Sequence, residues 1–523
     1  MKGLSVTNFP LRTRLLDLWI NAGTACLFIF AMTIVAPWEV IRMMWQYYPI
    51  VVVMLTGAVL RIPHLFAPMW YDEQFSLIVS RLPFDRLLLA TSGDVHPPLS
   101  YLVMAPWAVV GPDWLVRVPS YIFSLLAILL FYVAMRELSI PRREATIAAM
   151  FMAVSPFQLY YANEARMYAL LQFLVLLALV AGLKREWWLM ALAGIGAAYS
   201  QNYGTIYMLT VATVLLIRCP RDWCKVAAVG LIVFIAWLPW LSVIRSQTSY
   251  MTNTGYWIPP ATMGRVVQSL YNLITGTGTV IKFAGAGIFA ACLWVVSALL
   301  WMIKRRPPSW VLVLVLTFMP VAVAVVVSNI SLPILIPRPL IAISPWLYLV
   351  LVYPASEFLL LERKYKLMAF IFILPLLAVG IAGYMFRGHE LRADTGSEKI
   401  MAYIKDNWQA GDVIYHEQDG SGVYFKAFAP NVPQVSYMPC YRVGAYLSDK
   451  TRRAMGMVSL APEDVKAKRI WLIVYRFPYT PQCEIDDIDR FSLTGSLMLT
   501  VYDTNANSNY FDGSLYLISN TGN

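Results

Sequence analysis

Apolar residues in this chain come in long unbroken runs with short polar breaks, unlike the alternating or one-faced patterns of a soluble core. Runs of membrane-crossing length, about 17–25 residues, occupy 117–135, 145–161, 165–183, 226–243, 280–303, 309–328, 339–361 and 367–386. The stretch 187–217 is long enough for two short spans, and 48–62 is shorter but continuous. Basic residues mark alternate junctions: Arg136, Arg142 and Arg143; Lys184 and Arg185; Arg218, Arg221 and Lys225; Lys304 to Arg306; and Arg363, Lys364 and Lys366. The positive-inside rule puts these five loops in the cytosol. Segments 62–116, 161–165, 200–203, 244–279, 329–338 and everything after 386 then face outside. Eleven spans satisfy this pattern, and an apolar run at 19–38 would make twelve. Lys2, Arg12 and Arg14 argue that this run starts in the cytosol, which would reverse 48–62. Residues 15–45 therefore lie in the interface, form a hairpin, or leave the N-terminus outside. No A-x-A site follows the run, so a cleaved signal peptide is not expected.

Three regions follow: an N-terminal segment 1–47, a transmembrane domain 48–386 and an external domain 387–523. Within the second, 62–116 is long and only moderately polar. Its stretch 97–110 opens with two prolines, which suit a first helical turn, and is expected to lie along the membrane surface as a juxtamembrane helix. Trp70, Trp107 and Trp114 fit that depth. After residue 386 the pattern changes. Thr395-Gly-Ser-Glu398 matches a capping box, Ile400, Ile404 and Trp408 share one helical face, and Gly411 stops the helix. Residues 412–416, 469–475, 496–502 and 514–519 read as strands, which makes a small α/β domain.

Composition agrees and narrows the class. Of 523 residues, 59% are hydrophobic and 14% charged, against about 45–50% and 25% in globular domains. Six Cys in such a length exclude a disulfide scaffold. The net charge of +11 is unevenly placed. Residues 387–523 carry 14 basic and 16 acidic groups, a net of −2, and the first 386 carry 27 and 14, a net of +13. The excess thus sits among apolar segments, where lipid-facing and cytosolic loops explain it better than nucleic acid does. Cys440 and Cys483 stand alone in the external domain, where a disulfide can form; Cys219 and Cys224 flank a basic cytosolic loop and should stay reduced.

Ionisable groups at membrane depth default to functional candidates. Trp70-Tyr-Asp-Glu73 lies just beyond the outer end of a span, where a partly desolvated Asp72 or Glu73 can act as a base; the simpler reading is that either acid caps a short helix. Asp94-Val-His96 is a second cluster, in which His96 binds phosphate, moves a proton or merely anchors a helix start. Glu164 and Arg166, within Asn163-Glu-Ala-Arg-Met-Tyr168, are two apart and cannot share a helix face, but in an extended turn both can point into one cavity. Arg338 and Arg265 are the external guanidiniums best placed for a lipid phosphate, with snorkelling as the alternative. Tyr256 and Trp257 either stack on a sugar or mark the interface. His64, His96, His389 and His416 lack metal-motif spacing, and His96 with Asp94 or Glu73 is the one arrangement that offers a divalent metal a weak site. No P-loop or Gly-rich dinucleotide motif is present.

Tyr71-Asp-Glu73, His96-Pro-Pro-Leu-Ser-Tyr101, Ser155-Pro156, Tyr160-Tyr-Ala-Asn-Glu-Ala-Arg-Met-Tyr168 and Arg338 together resemble the GT-C membrane glycosyltransferases. The likeness is to the bacterial branch related to protein O-mannosyltransferases and the aminoarabinose lipid A transferase. It covers about 48–386 plus a C-terminal domain of the expected size; the N-terminal helix and Pro339 after the arginine depart from it. The resemblance implies an inverting transfer of a sugar from a polyprenyl-phosphate donor, such as an undecaprenyl one, to a cell-envelope acceptor (lipid A, O-antigen, another glycan or a protein). The reaction would take place at the outer face of a bacterial cytoplasmic membrane, and no cofactor is certain. Asp72 becomes the base with Glu73 beside it. Arg338, Arg166, Arg265 and His96 become contacts to the donor phosphate and lipid. Glu164, Asp94, Tyr71, Tyr168, Tyr256 and Trp257 become contacts to acceptor or sugar. The competing class is a transporter or lipid flippase, which would more often show internal repeats and charges near the bilayer midplane.

Overall fold

The computed structural model describes residues 37–254, 258–276, 284–358, 395–416, 419–436, 447–461, 464–476, 495–501 and 512–519. The expected spans 19–38 and 367–386 lie wholly or almost wholly outside these, as do Tyr256, Trp257, Cys440 and Cys483. The chain forms two compact units, Met1–Leu55 and Thr56–Asn523.

Helices are α1 Pro37–Arg61 (which runs across the unit boundary), α2 Tyr71–Ser80, α3 Phe84–Gly93, α4 Leu99–Val110, α5 Val118–Glu137, α6 Arg142–Val154, α7 Pro156–Ala162, α8 Tyr168–Leu183, α9 Trp187–Ser200, α10 Tyr203–Arg218, α11 Trp223–Thr254, α12 Met263–Thr275, α13 Ala284–Arg305, α14 Trp310–Ile330 and α15 Ser344–Phe358. Among the described residues, five segments are long and apolar enough to cross a membrane: Tyr48–Phe66, Asp113–Glu137, Pro220–Thr252, Trp310–Ile330 and Arg338–Ala355. A sixth is the pair α6 and α7, bent by 58° at Ser155. The apolar helices α8 and α10, 16 residues each, are shorter. Expected run 187–217 is divided between α9 and α10, with a break at Gln201 and Asn202.

The break at Ser155 is built from polar groups at membrane depth. Arg61, fully buried, donates to Ser124 Oγ (3.1 Å) and to the Ala153 carbonyl (2.8 Å), one of those freed where α6 ends. Ser155 Oγ and Tyr348 Oη lie 2.7 Å apart, and Gln158 donates to Ser344 Oγ at 2.7 Å. The Arg61 bond satisfies a broken helix end, and the two side-chain bonds tie the break to α15.

Segment 62–116 holds more helix than its sequence suggests. The expected surface helix is α4, and α2 and α3 precede it. Phe75, Leu77 and Ile78 of α2, Leu87 and Ala90 of α3 and Tyr101 and Met104 of α4 form one apolar core. That core continues into Val423, Ala427, Ala454 and Met455 near the C-terminus.

These last residues belong to the α/β part: α16 Thr395–Asn407, β1 Asp412–His416, α17 Asp419–Phe428, β2 Gln434–Ser436, α18 Asp449–Met455, β3 Val458–Ser459, β4 Arg469–Arg476, β5 Gly495–Val501 and β6 Asp512–Ser519. The sheet order is β3-β2-β1-β4-β6-β5. β1 pairs in parallel with β2 and β4, and β6 runs antiparallel to β4 and β5. As its apolar run requires, β4 is central and buried at Trp471, Leu472 and Ile473. Helix α16 ends at Asn407, and Gly411, at φ +96°, makes the turn into β1.

Helix ends fasten this part to segment 62–116. Arg86 donates to the Ala454 carbonyl at the end of α18 (2.9 Å), and Arg81 to the Ala427 carbonyl at the end of α17 (3.3 Å). Thr451 Oγ1 donates to the Ala90 carbonyl at 3.0 Å. A Cβ on Gly93 would come within 2.5 Å of both Ser448 Oγ and Thr451 Oγ1. Gly93→Val should therefore overpack this contact, at a cost of about 1–3 kcal/mol, and limited proteolysis should cut sooner near α18. Unchanged proteolysis and melting would mean that α3 and α18 separate at no cost.

Candidate active site

Two adjacent acids in the first turn of α2 meet opposite fates because a helix turns about 100° per residue. Asp72 points outward and remains partly exposed. Its Oδ2 lies 3.0 Å from Arg338 Nη1 and 3.8 Å from Arg166 Nη2. The N-cap of α2 is Trp70, whose side chain makes no capping bond; the N-terminal helix dipole also favours the Asp72 charge.

Glu73 points inward and is fully buried. Arg117 grips both its oxygens, Nε to Oε1 at 2.7 Å and Nη2 to Oε2 at 2.8 Å. The Ala165 N–H also donates to Glu73 Oε1, at 2.9 Å. The same guanidinium binds the carbonyls of Leu65 (2.9 Å), Pro68 (3.0 Å) and Ala67. Glu73, expected beside the base, thus has its carboxylate bonded to Arg117 and to the 163–167 turn. For the weak metal site expected of His96 with Asp94 or Glu73, Glu73 is already bound to Arg117 and the Ala165 N–H. Among the described residues no three His, Cys, Asp or Glu side chains cluster to hold an ion.

The 163–167 turn supplies two further candidates. Trp70 Nε1 donates to Glu164 Oε1 at 3.0 Å. Arg166 reaches across to α2, donating to the Asp72 carbonyl and to Ser76 Oγ at 3.3 Å each. Tyr168, buried, opens α8, and Tyr71 opens α2. Trp70 also carries Arg338, whose Cζ sits 4.9 Å from the ring centroid, within cation–π range.

Arg338 itself begins a 3₁₀ turn, Arg338–Ile343, whose carbonyls are held from neighbouring helices. Tyr207 Oη donates to the Pro339 carbonyl (2.7 Å) and Gln172 Nε2 to that of Ile341 (2.8 Å). Arg265, by contrast, is exposed on α12 and forms no ion pair among the described residues. Its backbone N–H reaches the α12 cap, Thr262. The structure does not bring Arg265 to the cluster.

Asp94 and His96 follow α3, and Asn202 Nδ2 holds the intervening Val95 carbonyl at 3.1 Å. Burial pushes the Asp94 carboxyl up to about 6, against the opposing pull of Arg166. Burial, together with the charges of Arg166 and Arg338, keeps the His96 ring well below the usual histidine range. His96 is therefore a neutral imidazole that adds no charge for an anion, and its Nδ1 is buried without a hydrogen-bond partner.

The raised carboxyl has a pH consequence. The folded state holds the Asp94 proton up to about pH 6, whereas the unfolded chain releases it near the model-peptide value of 3.8. Its contribution to stability is complete below the unfolded value and is lost as pH rises through about 6. Asp94→Asn should therefore raise the melting temperature more at pH 7.5 than at pH 4.5. An equal effect at both pH values would show that Asp94 titrates normally.

Arg117, Trp70, Gln172 and Tyr207 were not singled out as site residues by sequence. Arg117 had a usable signal: it is a cation at the outer end of a span, where the positive-inside rule expects none.

The family model for dolichyl-phosphate-mannose-protein mannosyltransferases matches residues 95–242. No curated protein sequence matches the chain. Among solved structures, ArnT from Cupriavidus metallidurans bound to undecaprenyl phosphate superposes with a TM-score of 0.55 at 13% identity, over 91% of this chain and 98% of that one. The same protein in its apo state gives 0.54 at 14% identity, over 90% and 97%. At such identity the likeness is one of fold.

Proposed function

We propose that this chain, a membrane protein of the GT-C glycosyltransferase fold, transfers a sugar with inversion from a polyprenyl-phosphate donor to a cell-envelope acceptor. The carrying observation is the Asp72 carboxylate, set between the guanidiniums of Arg338 and Arg166 at the start of a membrane-length segment. A lipid phosphate arriving from the bilayer meets Arg338 at that depth, with Trp70 behind the guanidinium.

The chemistry is a single displacement. Asp72 accepts the proton of the acceptor hydroxyl as that oxygen attacks the anomeric carbon. The bond from carbon to phosphate oxygen breaks, and its electron pair leaves with the polyprenyl phosphate. Arg338 and Arg166 stabilise the charge gathering there. One displacement inverts the anomeric centre. Glu164, Asp94 and Tyr168 surround the hydroxyl-bearing partners, and Tyr71 borders them from α2.

Orientation follows from charge. Arg142 and Arg143, Lys184 and Arg185, and Lys304 to Arg306 sit at helix ends that the positive-inside rule assigns to the cytosol. The site then opens at the outer face of the cytoplasmic membrane, with the α/β domain outside as well. Lipid A, O-antigen, another glycan and a protein all fit as acceptors.

Arg338→Ala should raise the KM for an undecaprenyl-phosphate hexose by tenfold or more, while Arg338→Lys recovers only part, since the two-pronged donor is lost. An unchanged donor KM in Arg338→Ala would remove this residue from the phosphate site and leave the role to Arg166.

A further inference from the structure

Arg338 is not waiting empty for an anion. Its Nη1 already holds Asp72 Oδ2 at 3.0 Å, and Arg166 Nη2 approaches the same oxygen at 3.8 Å. In the proposed function one of these cations takes the donor phosphate and this carboxylate takes the acceptor proton. Neither group can do its work while it is paired with the other. A carboxylate and a phosphate oxygen present the same chemistry to a guanidinium.

We propose that Asp72 is an internal stand-in for the donor phosphate, so that donor binding displaces it from Arg338 and thereby frees the base. This rests on the reading of Arg338 as the phosphate ligand. Other contacts make the exchange local. Trp70 supports the Arg338 guanidinium from one face at 4.9 Å, so that cation stays in place when its anion changes. The backbone of α2 is held separately: Glu73 is locked to Arg117, and Arg166 holds the Asp72 carbonyl. Only the Asp72 side chain, with 22% of its surface exposed, has to move.

Two consequences follow. Acceptor activation comes after donor binding, so a hydroxyl meets a free carboxylate only when a sugar is present to receive it. In addition, the internal pair weakens the apparent affinity for lipid phosphate, because only molecules with the pair open are competent to bind. A pair closed in nine molecules of ten weakens affinity by roughly tenfold.

The test is equilibrium binding of sugar-free undecaprenyl phosphate to the full-length protein in detergent or nanodiscs. Asp72→Asn, and Asp72→Ala as a second variant, should bind this probe about three- to thirtyfold more tightly than wild type. Asp85→Asn, which removes an exposed acid of the same segment, should not, and this separates local release from a general change in charge. Equal affinity in wild type and both Asp72 variants, with Arg338→Ala still weakening binding, overturns the displacement and leaves the phosphate assignment standing. Unaltered binding in Arg338→Ala overturns the phosphate assignment itself. A gain in Asp85→Asn as large as that in Asp72→Asn also overturns the displacement.

Discussion

Asp72→Asn is expected to lower turnover by roughly 10²–10⁴, the range for loss of a general base, while leaving the fold in place. The asparagine keeps the size of the side chain. Arg338 loses an ion pair that is partly open to solvent, and such pairs contribute only about 0–1 kcal/mol, while the buried Arg166 keeps its bonds to the Asp72 carbonyl and Ser76 Oγ. Melting temperature should therefore change by a few degrees at most. Affinity for bare lipid phosphate should rise as turnover falls, an opposed pair of effects that misfolding does not produce. Near-normal turnover in Asp72→Asn, with Glu164→Gln inactive, would transfer the base to Glu164.

Glu73→Gln should act in the opposite way, on folding before chemistry. It leaves the Arg117 guanidinium buried without its counter-charge, in a pair whose side chains are both 0% exposed. Breaking such a pair costs about 3–5 kcal/mol, a large part of the roughly 5–15 kcal/mol that stabilises a folded protein. The expected result is poor recovery of folded protein and a melting temperature lower by many degrees. Arg117→Met should fail similarly, because the Leu65, Ala67 and Pro68 carbonyls lose their donor as well. Combining Glu73→Gln with Arg117→Met should cost less than the sum of the two, since no charge is then stranded. A Glu73→Gln protein that melts like wild type yet has lost turnover would return Glu73 to the chemistry.

These two acids also mark how far the sequence could be read. Pattern and position were enough to select the 70–73 and 163–168 segments and Arg338, because ionisable groups stand out between apolar runs. The resemblance put the base on Asp72 rather than Glu73, but the different surroundings of the two acids follow from the phase of α2. A short helix was one reading of this segment, but its phase was not legible: Tyr71-Asp-Glu-Gln74 is polar at its start, and its inner face packs against α4 and the C-terminal α17, partners remote in sequence. Arg265 carried the same charge in an equally external loop but sits on a different helix, which spacing could not reveal. Strands β1, β4, β5 and β6 were legible, since short apolar runs bounded by turns have few alternatives. The grip of α17 and α18 on α2–α4 was not, because it consists of arginines and hydroxyls meeting backbone carbonyls, which leave no periodicity.

The most direct test of the whole account is sugar transfer itself. The purified protein, reconstituted in lipid, would be supplied with radiolabelled undecaprenyl-phosphate hexoses and a cell-envelope lipid extract. The account predicts label in a new glycosidic bond of inverted anomeric configuration, formed by wild type and nearly absent with Asp72→Asn. Movement of the labelled lipid between leaflets, with no new glycosidic bond, would contradict it and identify a flippase.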